Sequence, residues 1–232
     1  MKKSKKTNIK KQILYLFAGG LLVLAVLCLV FSVMSFIHSH KNKSNNQTGE
    51  LIDYSKIQIT RPELQVHLLT PNKNSRPQIA LNNIRGVVIH YTANPGSDAM
   101  ANRDYFESRK DEADKLENKV SSHFIIGLKG QIVQCIPLSE EAHASNDRND
   151  DTVSIECCHP DASGKFNKKT YHALLHLTAW LCMKYHLTKD DLIRHYDVTG
   201  KICPKYYVEH PRAWKTFKQD VWDKLKKHLR ED

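Results

Sequence analysis

The chain has 232 residues and a formal net charge of +10, from 35 Lys and Arg against 25 Asp and Glu. Six lysines lie in the first 11 residues, and Lys41 and Lys43 add two more, so residues 50–232 carry only about +2. A charge surplus held at one end is not a nucleic-acid surface, and the composition therefore excludes a nucleic-acid partner. The length allows one domain with a full core and an appendage.

The appendage is an apolar segment near the N-terminus. Residues 13–37 contain no charged side chain, and this run exceeds the roughly 20 residues that a helix needs to cross a bilayer. It is also longer than the apolar core of a cleaved signal peptide, and Leu27 before Cys28 is bulkier than lipoprotein processing prefers. An uncleaved transmembrane signal anchor is therefore predicted in preference to a cleaved signal. The preceding lysines predict that residues 1–12 are a cytoplasmic tail and that the chain after residue 37 lies outside the cell membrane.

Residues 38–79 are predicted to form an extracytoplasmic linker and an irregular lead-in. Residues 38–50 are polar and poor in apolar side chains, which is typical of a flexible stalk. The lead-in after them contains Pro62, Pro71 and Pro77. Although the chain has six cysteines, Cys157 and Cys158 are neighbours, and no disulfide framework can be recognised.

Strands and helices alternate over the remaining residues, 80–232. The pattern predicts an α/β fold with a central mixed β-sheet flanked by helices. A helix over 98–110 is expected to begin at Ser97 or Asp98, and the last helix to begin at Pro211. In chain order, the predicted elements are a strand at 86–91, a helix at 98–110, strands at 123–128 and 131–136 around Lys129–Gly130, a strand at 152–158, a helix at 167–186, a strand at 192–194 that leads into a loop at His195, and a helix at 211–229.

Residue types that commonly bind metals lie at or just after the ends of two of these strands. His195, Lys201 and Cys203 fall within nine residues, and His90 ends the apolar run that starts at Gly86. Zinc is commonly bound by imidazole and thiolate, and a catalytic site with three protein ligands leaves one position open for water. The four residues together predict a zinc site with a neighbouring cation.

Four segments carry a resemblance to a known family. "GVVIHYTANPG", "SSHFIIGLKGQIVQCIP", "VSIE" and "RHYDVTGKICP" occur in this order and resemble the zinc-dependent N-acetylmuramoyl-L-alanine amidases of the amidase type 2 group. That group includes phage amidase-lysozymes and the peptidoglycan recognition proteins of animals. The resemblance covers roughly residues 80–225, and "NKNSRP" resembles the segment that precedes many bacterial members.

The resemblance implies a cofactor and a set of site residues. Zn²⁺ would be bound by His90, His195 and Cys203. The family's catalytic lysine falls on Lys201, and the carboxylate that some members have falls on Glu156. In the mechanism that follows, zinc activates a water molecule, Glu156 transfers its proton, and Lys201 helps to stabilise the oxyanion.

Other positions leave alternatives open. Ser122 stands where many phage and animal members have a catalytic tyrosine, which moves the proton transfer to Glu156. His143 matches a histidine of the family's "WHAG" segment, with Ala142 in place of the tryptophan, and it could contact substrate or pack structurally. His123 has the same two readings. Asp197 could orient His195 or face solvent.

The expected function is that of a membrane-anchored zinc hydrolase. By resemblance, its substrate is peptidoglycan, and it cleaves the amide between N-acetylmuramic acid and L-alanine. The expected topology exposes the domain to the cell wall. The alternative is a non-catalytic peptidoglycan-binding or sensing module of the same fold. Non-catalytic relatives typically lose the cysteine ligand, whereas Cys203 is present here.

Overall fold

The computed structural model describes residues 52–229. Within them the strands form one six-stranded sheet with the order β1-β4-β3-β5-β2-β6. Strands β3 and β4 pair antiparallel and every other neighbouring pair is parallel, so the predicted mixed sheet is confirmed. The strands are β1 (Gln65–Val66), β2 (Gly86–Tyr91), β3 (Phe124–Ile126), β4 (Ile132–Gln134), β5 (Thr152–Cys157) and β6 (Leu192–Arg194).

Local sequence signals define the helix ends. Asp98 accepts a hydrogen bond from the backbone N–H of Ala101 at 2.8 Å and so caps the first helix. Asn167 caps the second helix through the N–H of Thr170 at 3.0 Å. The helices are α1 (Ala99–Ser108), α2 (Lys168–Tyr185), α3 (His195–Thr199), α4 (Lys205–Glu209) and α5 (Pro211–Lys227).

The helices cover both faces of the sheet. Side chains alternate along a strand, and Ile125 and Val133 pack in one buried cluster with Phe106 of α1. Helix α2 packs against β3 and α5, and Tyr171 and Phe217 join these two helices with ring centroids 5.9 Å apart. This layering confirms the predicted flanking helices.

The predicted elements agree with the structure over the long apolar runs. The elements not expected are β1 and the short helices α3 and α4. His195 is the first residue of α3 and does not lie in a loop. Five-residue helices and a two-residue strand are too short to show a hydrophobic period.

No helix within residues 52–229 is long and apolar enough to cross a membrane. The predicted span at 13–37 and the tail at 1–12 lie outside the described residues.

Candidate metal centre and catalytic cleft

His90 and Glu156 are neighbours because of the register between β2 and β5. The two strands run parallel, and His90 pairs with Glu156 near their carboxyl ends. Paired residues of adjacent strands point to the same face. The Nδ1 atom of His90 lies 4.0 Å from Oε1 of Glu156, so the sheet itself fixes this pair.

His195 and Cys203 come from the chain that follows β6. Strand β6 pairs with β2, with Arg194 opposite Ile89, so His195 emerges next to His90. The two imidazole rings have centroids 4.8 Å apart. Helix α3 then ends at Gly200 in a left-handed conformation (φ +79°), and the returning chain places the Cys203 sulfur 3.8 Å from Nδ1 of His90.

These three side chains fit a zinc ion. Each offers one ligand atom, and the three ligand atoms lie within 4.8 Å of one another. All three residues are buried. Typical zinc bond lengths put a tetrahedral nitrogen–sulfur pair about 3.5 Å apart, close to the separation of His90 and Cys203. The cluster joins the three ligands predicted from the sequence, and two imidazoles with one thiolate are a zinc-type donor set.

The environment of the ligands opposes charge on them. Burial, together with the charges of His195 and Lys201, holds the pKa of His90 well below its ordinary value. Burial and Lys201 lower the pKa of His195 to about 4. Both rings are therefore neutral at pH 7, the state in which a histidine binds metal.

Burial disfavours the anionic forms of two acidic groups in the site. Burial raises the pKa of Glu156 to about 8, against the lowering effect of Lys201. Burial and the nearby Glu156 raise the pKa of Cys203 to about 12. Oε2 of Glu156 is buried and has no hydrogen-bond partner among the described residues. A bound divalent cation would favour both anionic forms.

The cluster opens into a cleft of about 750 Å³. Glu156 and Lys201 line it together with the three ligand residues. Part of the cleft lining is apolar and is formed by Tyr105 and Phe106 of α1 and by Leu116 and Val120 after it. Leu116 is 83% exposed. A polar reacting end next to an apolar wall suits a substrate of mixed character.

His143 reaches the same cleft. Its side chain is half-buried and lines the wall beside Lys119. Its backbone is held by Ser121, whose Oγ accepts the His143 N–H at 2.9 Å. Nε2 of His143 has no partner among the described residues, and burial and the Lys119 charge lower the ring's pKa.

His123 is not brought to the site. It is fully buried, its Nδ1 accepts the backbone N–H of Ser154 at 3.0 Å, and its Nε2 lies 2.9 Å from the carbonyl oxygen of Glu140. Both ring nitrogens are thus used inside the core, and the ring connects β5 to the chain after β4. Ser122 is also fully buried and donates to the carbonyl of Phe124, away from the ligand cluster.

Asp197 does not orient His195 in this structure. Its carboxylate contacts Arg194 at 2.6 Å instead. The partner of His195 is Asn146, whose Oδ1 lies 2.8 Å from Nε2, and Ser145 lies 3.3 Å from Nε2 of His90. The sequence offered no sign of these two contacts, because the pair lies about 50 residues away along the chain.

The comparisons with known proteins agree with this arrangement. A family model described as N-acetylmuramoyl-L-alanine amidase, Amidase_2, matches residues 80–206. The chain belongs to this family. The segment matched by the family model contains His90, Glu156, His195, Lys201 and Cys203.

Curated relatives carry the same description. The N-acetylmuramoyl-L-alanine amidase CwlL of Bacillus licheniformis is 32% identical over 163 residues, which is 65% of this chain and 44% of that protein. The N-acetylmuramoyl-L-alanine amidase BlyA of Bacillus subtilis strain 168 is 30% identical over 175 residues, 66% of this chain and 45% of that protein. The Amidase_2 chain described here therefore spans less than half the length of either relative.

Solved structures share the fold. The PlyG catalytic domain is 25% identical with a TM-score of 0.58, over 70% of this chain and 94% of that one. The structure of PlyL has the same TM-score of 0.58 at 24% identity, over 69% of this chain and 97% of that one. The Amidase_2 fold therefore extends over most of the described residues.

Proposed function

We propose that this Amidase_2 protein is a zinc-dependent N-acetylmuramoyl-L-alanine amidase with its catalytic domain at 80–232. The observation that carries the proposal is the buried His90–His195–Cys203 cluster with Glu156 4.0 Å from His90 at the base of an open cleft. Family membership supports the choice of substrate, the amide between N-acetylmuramic acid and L-alanine in peptidoglycan.

Each cleft residue has a role that its position supports. His90, His195 and Cys203 would hold the metal, which when bound supplies an activated water molecule and polarises the substrate carbonyl. Glu156 stands beside the ligands and would accept a proton and return it to the leaving amine. Lys201 lines the same cleft and would stabilise negative charge on the carbonyl oxygen.

His143 is proposed to contact substrate from the cleft wall. Its half-buried side chain forms part of the lining of the cleft. His123, in contrast, would act through the packing of the core.

The proposed location is the outer side of the cell membrane. Residues 13–37 would anchor the chain with residues 1–12 inside, and the linker at 38–79 would lead to the domain. Peptidoglycan occurs on that side, so the proposed topology and the proposed substrate agree.

Digestion of purified muropeptides by the full chain in mild detergent tests the function. We expect mass spectrometry to show glycan with a free lactyl group and intact stem peptides. Chelation should stop the reaction and zinc should restore it. Products cut at another bond would overturn the proposal, and substrate that is bound but uncut would favour the binding module.

A further inference from the structure

One short segment contacts both histidines of the proposed metal centre. Ser145 and Asn146 are consecutive, and they lie against Nε2 of His90 at 3.3 Å and Nε2 of His195 at 2.8 Å, respectively. Each imidazole thus has its Nε2 occupied by one of two neighbouring side chains.

The contacts determine which nitrogen of each ring remains for a metal. Oδ1 of Asn146 can only accept, so Nε2 of His195 carries the proton and Nδ1 is left without one. In His90 the Nδ1 atom faces the Cys203 sulfur at 3.8 Å, and Nε2 faces Ser145. The same atom, Nδ1, is therefore left as the ligand in both rings.

The segment is held in place by its own contacts. Oδ1 of Asn149 accepts the backbone N–H groups of Ala144 at 3.0 Å and of Ser145 at 2.6 Å. Arg148 pairs with Asp151 at 2.7 Å, next to the start of β5. Asn146 adopts a left-handed conformation (φ +52°), which asparagine tolerates better than most residues. The two side chains are thus presented from a fixed turn.

We propose that Ser145 and Asn146 are positioning residues that hold both imidazoles with Nδ1 directed at the metal. The inference rests on the proposed zinc site. Polar groups that bind the free nitrogen of a ligand histidine fix its tautomer and its orientation, and their loss typically weakens metal binding about 10- to 100-fold.

Zinc affinity of the full chain, measured by competition with a chromogenic chelator, tests the proposal. Asn146→Gly removes the side chain and keeps the left-handed backbone, and we expect zinc to bind roughly 10- to 100-fold more weakly. Ser145→Ala should weaken binding in the same direction. Asn146→Asp offers an oxygen acceptor again and should bind about as tightly as the parent chain.

Two further variants serve as references. Asp150→Asn lies four residues after Asn146, is exposed and is not among the residues that line the cleft, so it should bind zinc as the parent does. Cys203→Ala removes a ligand and marks the loss of the site. Circular dichroism checks that each variant is folded, and the visible spectrum of the Co²⁺-loaded protein should change in Asn146→Gly and recover in Asn146→Asp.

The outcomes separate this inference from the proposed function. If the parent binds zinc, Cys203→Ala loses it, and folded Asn146→Gly and Ser145→Ala bind as tightly as the parent, the positioning role is wrong and the zinc site stands. If the parent chain binds no zinc, both proposals fail.

Discussion

Glu156 differs from Glu140 because one of its carboxylate oxygens, Oε2, has no hydrogen-bond partner among the described residues. Glu140 is paired with Arg76, with both oxygens at 2.8 Å from guanidinium nitrogens. Glu156 is only 16% exposed, faces the ligand cluster and leaves Oε2 unpartnered. A carboxylate held in an ion pair is a poor proton carrier, so Glu156, which lines the cleft, is better suited to that work than Glu140.

The proposed role of Glu156 predicts the effect of Glu156→Gln. The amide keeps the shape of the side chain and cannot accept the proton, so muropeptide hydrolysis should fall about 10²- to 10⁴-fold. Zinc content should remain at about one per chain, because Glu156 is not among the proposed ligands. The measurements are initial rates of product formation and metal analysis of the same sample.

Glu141→Gln is the matched control for this variant. Glu141 is the next glutamate before Glu156 along the chain, and it lies outside the cleft lining, so its replacement should leave the rate unchanged. Full activity in Glu156→Gln would show that another group transfers the proton.

At the scale of elements, helix α1 contributes both to the hydrophobic core and to the cleft. It covers one face of the sheet through Phe106, and its Tyr105 forms part of the cleft wall. Glu107 in its last turn ties it to the lead-in, accepting from the backbone N–H of Thr70 at 3.0 Å and from its hydroxyl at 2.6 Å. Arg103 and Lys110 approach the same carboxylate at 3.1 and 3.0 Å.

This carboxylate predicts a pH-dependent contribution to stability. Burial alone would raise the pKa of Glu107, but the contacts from Thr70, Lys110 and Arg103 lower it from 4.5 to about 2. A group whose pKa is lower in the folded state stabilises that state above its unfolded pKa. The contribution is therefore present above pH 4.5 and is lost as the pH falls toward 2.

Glu107→Gln should accordingly lower the free energy of unfolding at pH 7 by on the order of 2 kcal/mol. The difference from the parent chain should shrink as the pH falls from 4.5 toward 2, as measured by urea unfolding. Asp104→Asn removes an exposed partner of Arg103 and should cost less than about 1 kcal/mol. A Glu107→Gln effect of constant size across this range would contradict the assignment.

At the scale of the whole molecule, the parts that could be predicted are those that the sequence encodes locally. The apolar run that ends at His90 predicts a buried strand, and strand ends place ligands at one edge of a sheet. The alignment of His90 with Glu156 depends on pairing between strands more than 60 residues apart, and here the resemblance supplied what spacing could not. Asn146 was missed because its contact with His195 has no local signal.

Histidines show the same limit. His123 and His143 both lie in segments that resemble the family. His123 is enclosed in the core, whereas His143 lines the cleft. Burial of a single side chain depends on the packing of several elements at once. A sequence can therefore indicate that a histidine matters without indicating whether it faces solvent.

The charge distribution predicts how the full chain is oriented in a membrane. Residues 13–37 are uncharged, and the lysines before them are the only charged residues in the first 37. Because residues 13–37 are long and apolar enough to span a bilayer, the full chain expressed in bacteria should remain in the membrane after carbonate washing. Basic residues stay on the cytoplasmic side, so the domain should lie outside. External protease applied to spheroplasts should digest the domain, and a chain lacking residues 1–37 should move to the soluble fraction.

Replacing the six leading lysines by glutamine should reduce the fraction of the domain that is accessible from outside. The chain should stay in the membrane, because the apolar run drives insertion and the lysines drive orientation. Recovery of the full chain in the soluble fraction, or of the truncated chain in the carbonate-washed membranes, would contradict anchoring through this segment.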